Sequence, residues 1–333
     1  MVPEEWPLAA LAVDPPVESA RTRGSRRLAS VRRDFFLDPA YRLTEQERAL
    51  MTAMLHDLVG SVAGEILAAA PGKGETAPEG TALASRLHSA GLLDREPLVA
   101  MLLRRADEHR IGAAFAGRAG LRKLPLLPRL VGDSDAGVAA AAMTLVVARG
   151  RRRDAFGQPR IELTDLPQGE AAILAFAVAA TLGDDFAEAA QAPLAGRSPE
   201  EALDAAVTAL ADALQAAGRL DDKLIEAAAE DGEASLLATL LARRAGISAD
   251  TAWGYLVGGQ EDGLALLGRM AGLSRPTAAR LIAEFGALSG ASVEDEIGRF
   301  DGLGDKEVSA ARDWWRLPAH YRAARTALGH GRG

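Results

Sequence analysis

The sequence predicts an all-α protein: an irregular helical-repeat, α-solenoid-like body behind a flexible basic N-terminal arm. Three observations carry this. First, a phrase occurs twice. Leu241-Ala-Arg-Arg-Ala-Gly-Ile-Ser-Ala-Asp-Thr-Ala-Trp-Gly-Tyr-Leu256 is followed 26 residues later by Leu267-Gly-Arg-Met-Ala-Gly-Leu-Ser-Arg-Pro-Thr-Ala-Ala-Arg-Leu-Ile282. Each copy reads as a helix, a glycine stop, a Ser cap and a second helix, and such units repeat because one alone cannot bury its apolar face. Second, aromatics are only 5% of the 333 residues while Ala is abundant; helices packed through Ala and Leu need few aromatics, whereas sheets favour β-branched and aromatic residues. Third, apolar stripes of helical period alternate with Gly and Pro stops along the chain.

The elements follow in order. Residues 1–30 carry Pro3, Pro7, Pro15, Pro16 and Gly24 without helical periodicity, which predicts a flexible arm. Its basic stretch includes Arg26, Arg27, Arg32 and Arg33, with no acid between Glu18 and Asp34. Such a stretch reads as a docking segment for an acidic partner, nucleic acid or an anionic surface, or as a solvated arm lying on the acidic body. Residues 31–192 are expected to form an N-terminal helical region and 193–328 a C-terminal helical-repeat region. Thr44-Glu-Gln-Glu47 is a capping box that opens a long helix bearing Leu50, Met54, Leu58, Val62 and Ile66. Pro71-Gly72 ends it. Between 80 and 150 several short helices are expected, with starts at Asp94 and Asp107 and breaks at Gly91, Gly120 and Gly132. Arg149 and Arg151–Arg153 form a second basic cluster at the end of an apolar helix, where positive charge complements the helix dipole. Residues 154–167 read as a connector. Gln168–Ala192 is expected as one apolar helix. Ser198-Pro-Glu-Glu201 starts another that reaches Ala217 and stops at Gly218. Helix pairs fill 220–288, and a last amphipathic stretch holds Trp314 and Trp315.

Three segments resemble a known family. Phe35–Met51, Gly263–Thr277 and Trp315–Arg322 together look like the bacterial family known as domain of unknown function 2336, over roughly residues 31–325. The resemblance implies an α-helical, HEAT-like fold. It implies no activity and no catalytic residues.

Composition narrows the function classes. The absence of Cys excludes disulfides, thiolate chemistry and Cys-ligated metal, and accords with a reducing cytoplasm. The N-terminus lacks a signal peptide's basic start and apolar core. The longest uncharged apolar runs, Val138–Ala148 and Ala171–Leu182, fall short of the ~18–20 residues of a membrane span and read as buried core helices. A net charge of -8 would repel a phosphate backbone.

Catalytic patterns are missing. The five His (56, 88, 109, 320, 330) show no metal-ligand spacing, and no nucleophile elbow or phosphate loop is present. No cofactor or metal is therefore expected. Asp184-Asp185 and Asp221-Asp222 read as helix termini. The sharpest candidate is Ala271–Ile282, which resembles the turn and second helix of a helix-turn-helix motif. Ser274, Arg275, Thr277 and Arg280 would be its base or phosphate readers. The earlier copy has Trp253 in place of Ala279 and Tyr255 in place of Leu281, which suits packing. The sequence is thus read as a non-enzymatic protein-binding adaptor or signalling regulator in a bacterial cytoplasm. A DNA-binding regulator using the corner at 268–285 is the alternative.

Overall fold

The computed structural model describes residues 43–72, 79–116, 124–257, 263–289 (backbone alone at 287–289) and 292–328. The basic arm, with Arg26, Arg27, Arg32 and Arg33, and the break expected at Gly120 lie outside these residues. The described residues from Glu45 onward belong to one compact unit. Among the described residues it is built of sixteen α-helices and no strand beyond an isolated bridge between Arg153 and Pro159.

The first six helices are α1 (Glu45–Ala69), α2 (Gly80–Ser89), α3 (Glu96–Ala116), α4 (Leu126–Val131), α5 (Ala136–Arg151) and α6 (Gln168–Leu182). Next come α7 (Gln191–Ala195), α8 (Leu203–Ala216), α9 (Asp222–Glu230), α10 (Ala234–Ala245) and α11 (Ala249–Val257). The last five are α12 (Gly263–Met270), α13 (Arg275–Ser289), α14 (Val293–Gly302), α15 (Asp305–Arg316) and α16 (Ala319–Ala327).

Helix starts follow local chemistry. Asp135 caps α5 by accepting from the amides of Gly137 (2.8 Å) and Val138 (3.0 Å), and Asp221 caps α9 through Leu224 (2.9 Å). Several boundaries differ from expectation. Asp107 lies inside α3, where it pairs with Arg110 at 3.3 Å instead of starting a helix. The apolar segment from Gln168 stops at Leu182, because Gly183 turns the chain into a short 3-10 turn at Asp184–Phe186 before α7 begins. Pro199–Glu201 is a separate 3-10 turn. Ala202 is then extended, and the free amide at the start of α8, that of Leu203, is taken by Asp165 at 3.0 Å.

Apolar side chains gather in two cores. The first joins α1, α2, the first half of α3 (Leu98, Leu102, Ala106) and α6, with Ile161, Leu163 and Leu166 beside them. By length and mean hydropathy α1 is the one described helix that could cross a membrane. Its row of Met54, Leu58, Val59, Val62, Ala63 and Ile66 is buried as the spine of this core. The second core joins the last turns of α3 (Ile111, Phe115) to α4, α5 and α8–α15. The chain therefore enters the second core in the last turns of α3, returns to the first at 161–190, and goes back at α8. The first core's last members in the chain are Ala190 and, packed against it, Leu194; the second core resumes at Leu203.

The repeated phrase gives two equivalent corners. In α10–α11 the amide of Ile247 donates to Ala242 O at 3.1 Å; in α12–α13 that of Leu273 donates to Gly268 O at 3.0 Å, the same pair 26 residues on. Gly246 (φ 70°) and Gly272 (φ 63°) take the left-handed conformation that lets each helix end this way. Ser248 and Ser274 follow, each with its hydroxyl on that of the Thr three residues on, at 2.8 and 3.0 Å. The corners pack with α10 on α12 and α11 on α13. Leu241, Leu267 and Leu273 are buried and Ile247 is half-buried.

Candidate functional site

The corner that could read nucleic acid is a packed corner whose charges are already matched. Arg275 grips Asp301 with Nε and a terminal nitrogen, both at 2.9 Å. Arg280 reaches Glu226 (3.1 Å) and Glu230 (3.2 Å). Thr277 is buried and donates to Glu226 at 2.7 Å, and the Ser274 amide donates to Asp222 at 2.9 Å. The structure thus gathers Ser274, Thr277 and Arg280 along α9, while Arg275 faces α14. Helix α13 packs against α9, α11, α12 and α14, and Ile282 and Phe285 are buried. Arg275 and Arg280 themselves lie on the exposed face of α13, with side chains 62% and 58% exposed. At the matching position of the earlier copy, Trp253 lies under the Arg104 guanidinium (4.9 Å), and Tyr255 accepts from the Trp315 indole at 2.8 Å.

Asp222 holds the two corners together. It accepts from Ser274 and from Arg244 (2.6 Å), and Arg244 in turn donates to the carbonyls of Ala271 and Gly272, both at 2.9 Å. Burial alone would raise the Asp222 carboxyl. The hydrogen bonds from Ser274, Arg244 and Thr277 outweigh it and bring the pKa down to about 2.

A second constellation has no signature in the sequence. Where α3, the end of α5 and the starts of α8 and α10 meet, a cleft of about 300 Å³ is lined by Arg105, Glu108, His109, Arg149, Arg152, Arg153, Arg160 and Ser235. Most of its charges are paired. Arg105 is buried and donates to both oxygens of Glu108 and to Asp204, each at 2.8 Å. Burial works against its charge, and Glu108 and Asp204 more than offset that, so its pKa is raised. Asp204 answers in kind: burial would raise its carboxyl, and Arg105 and Arg104 bring it below the ordinary value. The Ser235 hydroxyl donates to Glu108. Arg149 grips Glu233 (3.0 and 2.5 Å), and the buried Arg152 grips the buried Asp165 (3.0 Å to each oxygen). Arg160 meets Asp57 at 2.7 Å.

The pairs act as a latch: Glu108 is held by the Arg105 guanidinium and by the Ser235 hydroxyl, which ties α3 to α10. The cluster Arg149–Arg153, expected as a complement to the helix dipole, supplies three of the latch cations. Its partners Asp165, Glu201 and Glu233 lie 13 to 84 residues away, so no local pattern marks them. Arg153 has no carboxylate partner among the described residues and donates to the Gly157 carbonyl at 3.2 Å. Beside it, burial and the Arg153 charge lower the pKa of His109. Among the described residues no three His, Asp or Glu side chains gather as a metal would require.

The apolar helices expected as buried are buried on one side only. On α5, Met143, Val146 and Val147 are 48%, 39% and 49% exposed; on α6, Ile173 and Phe176 are also exposed.

Helices joined by capped corners, tied by buried ion pairs and carrying exposed apolar side chains define the class: an all-α protein. The chain belongs to the family of uncharacterised proteins conserved in bacteria (DUF2336), whose model matches residues 122–302. Of the three segments that resemble this family, Gly263–Thr277 lies within the match, and Phe35–Met51 and Trp315–Arg322 lie outside it. No curated protein and no solved structure matches the chain.

Proposed function

We propose that this chain is a non-enzymatic protein-binding adaptor or signalling regulator, acting in the cytoplasm through the surface of its helical body. The observation that carries the reading is the outer face of α5. No charged residue occurs from Ala136 to Ala148, yet Met143 and Val147, one turn apart, are each about half exposed. A helix apolar on every side is ordinarily buried on every side, and an uncovered face of this kind marks an interaction surface. Side chains at i and i+4 with Val146 beside them suit a partner's apolar helix or groove. In this reading the two corners of the repeated phrase are the rigid frame that presents the face. Duplex reading by α13 has no comparable support, since Arg275 and Arg280 are committed to Asp301, Glu226 and Glu230.

The test is a photo-crosslinking amino acid at Met143 in the native cell. One discrete partner adduct is expected, absent in Val147→Asp, with the purified variant melting as the parent does. No adduct, or one unaffected by Val147→Asp, would remove the support from this face.

A further inference from the structure

The hairpin from Arg153 to Arg160 displays a phenylalanine to water. Phe156 is 89% exposed, the highest value among the large apolar side chains of the described residues. It does not hang on a loose loop. Asp154 Oδ1 accepts from the amides of Phe156 and Gln158, both at 2.8 Å, and the Asp154 amide donates to Gln158 O at 2.9 Å. The Arg160 amide closes the base onto Arg152 O at 2.9 Å, and Arg152 is itself fixed to Asp165. An aromatic ring on a pre-organised turn loses little entropy on binding and is the kind of residue that anchors interfaces.

Beside the base of this hairpin lies a cleft of about 320 Å³. Ala49, Leu50 and Ala53 of α1 line it with Gln158 and Pro159 of the hairpin, and Asp57, His109, Asp154 and Arg160 add a polar rim. A cavity of ~150 Å³ already admits a benzene ring, so a phenylalanine fits here with part of its turn. The chain's own Phe156 does not fill the cleft, being exposed at the tip of the hairpin that forms its wall.

We propose that the chain forms a two-fold homodimer in which Phe156 of each copy enters the cleft between α1 and the hairpin of the other. Two features select a second copy as the occupant. Anchor and cleft adjoin, so one two-fold axis brings both pairs together and the contact closes; a distant anchor and pocket would build open chains. Charge also matches. The hairpin carries Arg153, which lacks a carboxylate partner among the described residues, and the cleft opens beside the acidic first turn of α1, where the Glu45 side chain is 94% exposed. The contact is small, so the dimer is expected to be weak and concentration-dependent. It is independent of the α5 face.

Sedimentation equilibrium of the full chain tests this. Self-association is expected at concentrations up to about 100 µM. Phe156→Ala, which empties the anchor, and Ala53→Trp, which fills the cleft, should each weaken it by at least about tenfold, or about 1.4 kcal/mol. Both positions are exposed, so far-ultraviolet circular dichroism and melting should be unchanged. The chain has no Cys, so Phe156→Cys and Ala53→Cys single variants can be mixed. A disulfide between the two variants, forming faster than either forms with itself, is expected. A strictly monomeric chain, or a dimer indifferent to both substitutions, would overturn the proposal. A dimer lost in Phe156→Ala alone, without the mixed disulfide, would overturn the cleft as the receiving site.

Discussion

Asp165 is buried and accepts from Arg152, from the Glu162 amide (2.9 Å) and from the Leu203 amide (3.0 Å), joining the end of α5 to the start of α8. Asp165→Ala removes the buried partner of Arg152, leaves it only the half-exposed Glu162 at 3.1 Å, and strips the Glu162 and Leu203 amides of their acceptor; it should cost about 1–3 kcal/mol in a urea melt. A cost below about 0.5 kcal/mol would mean that Glu162 and solvent replace Asp165 fully. Asp222 makes the other knot and carries a pH signature. Its folded pKa of about 2 lies below the ordinary value of 3.8, so its contribution is complete above about pH 4 and is lost as the pH falls through about 2. After solvent screening the amount is on the order of 1 kcal/mol. Asp222→Asn should therefore flatten the loss of stability between about pH 4 and 2, and an unchanged slope would show that other carboxylates dominate it. Asp221-Asp222 sits at a helix terminus, as its sequence implies, because capping is a local pattern. The clamp is hidden from the sequence, since Arg244 and Ser274 lie 22 and 52 residues away, and burial and pairing at that distance leave no periodic trace.

At the scale of elements, glycine stops and apolar stripes are the readable signals. They are fixed by neighbours within one or two turns, which is why the two corners appear where the repeated phrase puts them. The errors share a cause. Asp107 reads as a helix start because Asp caps helices, but Arg110 gives it a partner within α3. Ser198 reads as a cap, but the α8 amide goes to Asp165 instead. Tertiary partners compete with local ones, and a sequence shows only the local side. The same contrast is measurable at two glycines. Gly246 has φ 70° and open space where a methyl would stand, so Gly246→Ala should cost only the left-handed strain of about 1–2 kcal/mol. Gly232 has φ 66°, and a methyl there would sit 2.5 Å from the Phe115 ring at the end of α3. Gly232→Ala should add an overpacking cost of about 1–3 kcal/mol to the same strain. Equal losses for the two variants in thermal melts would show that Phe115 moves aside freely.

For the molecule as a whole, the all-α class follows from composition, but the partition of the chain between two cores does not. An apolar stripe says that a face is buried without saying against what. Nothing in Ile161–Ala190 distinguishes a segment that returns to α1 from one that continues beside α5. The two cores share α3: Leu98, Leu102 and Ala106 belong to the first, Ile111 and Phe115 to the second, on one unbroken helix. The latch at Arg105 and Glu108 sits where the first stretch gives way to the second and ties the helix to Asp204 and Ser235. Unravelling either core would strip α3 of half its packing, and a helix so exposed is marginal in water. The cores should therefore unfold as one cooperative unit. The tryptophans report this without labels. Trp253 and Trp315 pack on the second core, Trp314 lies beside them in α15, and the first core contains none. Trp6, outside the described residues, can be replaced by Phe. In that background Leu58→Ala, a fully buried site in the first core, should cost about 2–5 kcal/mol. It should lower the fluorescence midpoint of the second core as much as the circular dichroism midpoint of the whole. A fluorescence transition that stays in place while the dichroism becomes biphasic would show two independently folding cores, with α3 a linker and not a shared strut.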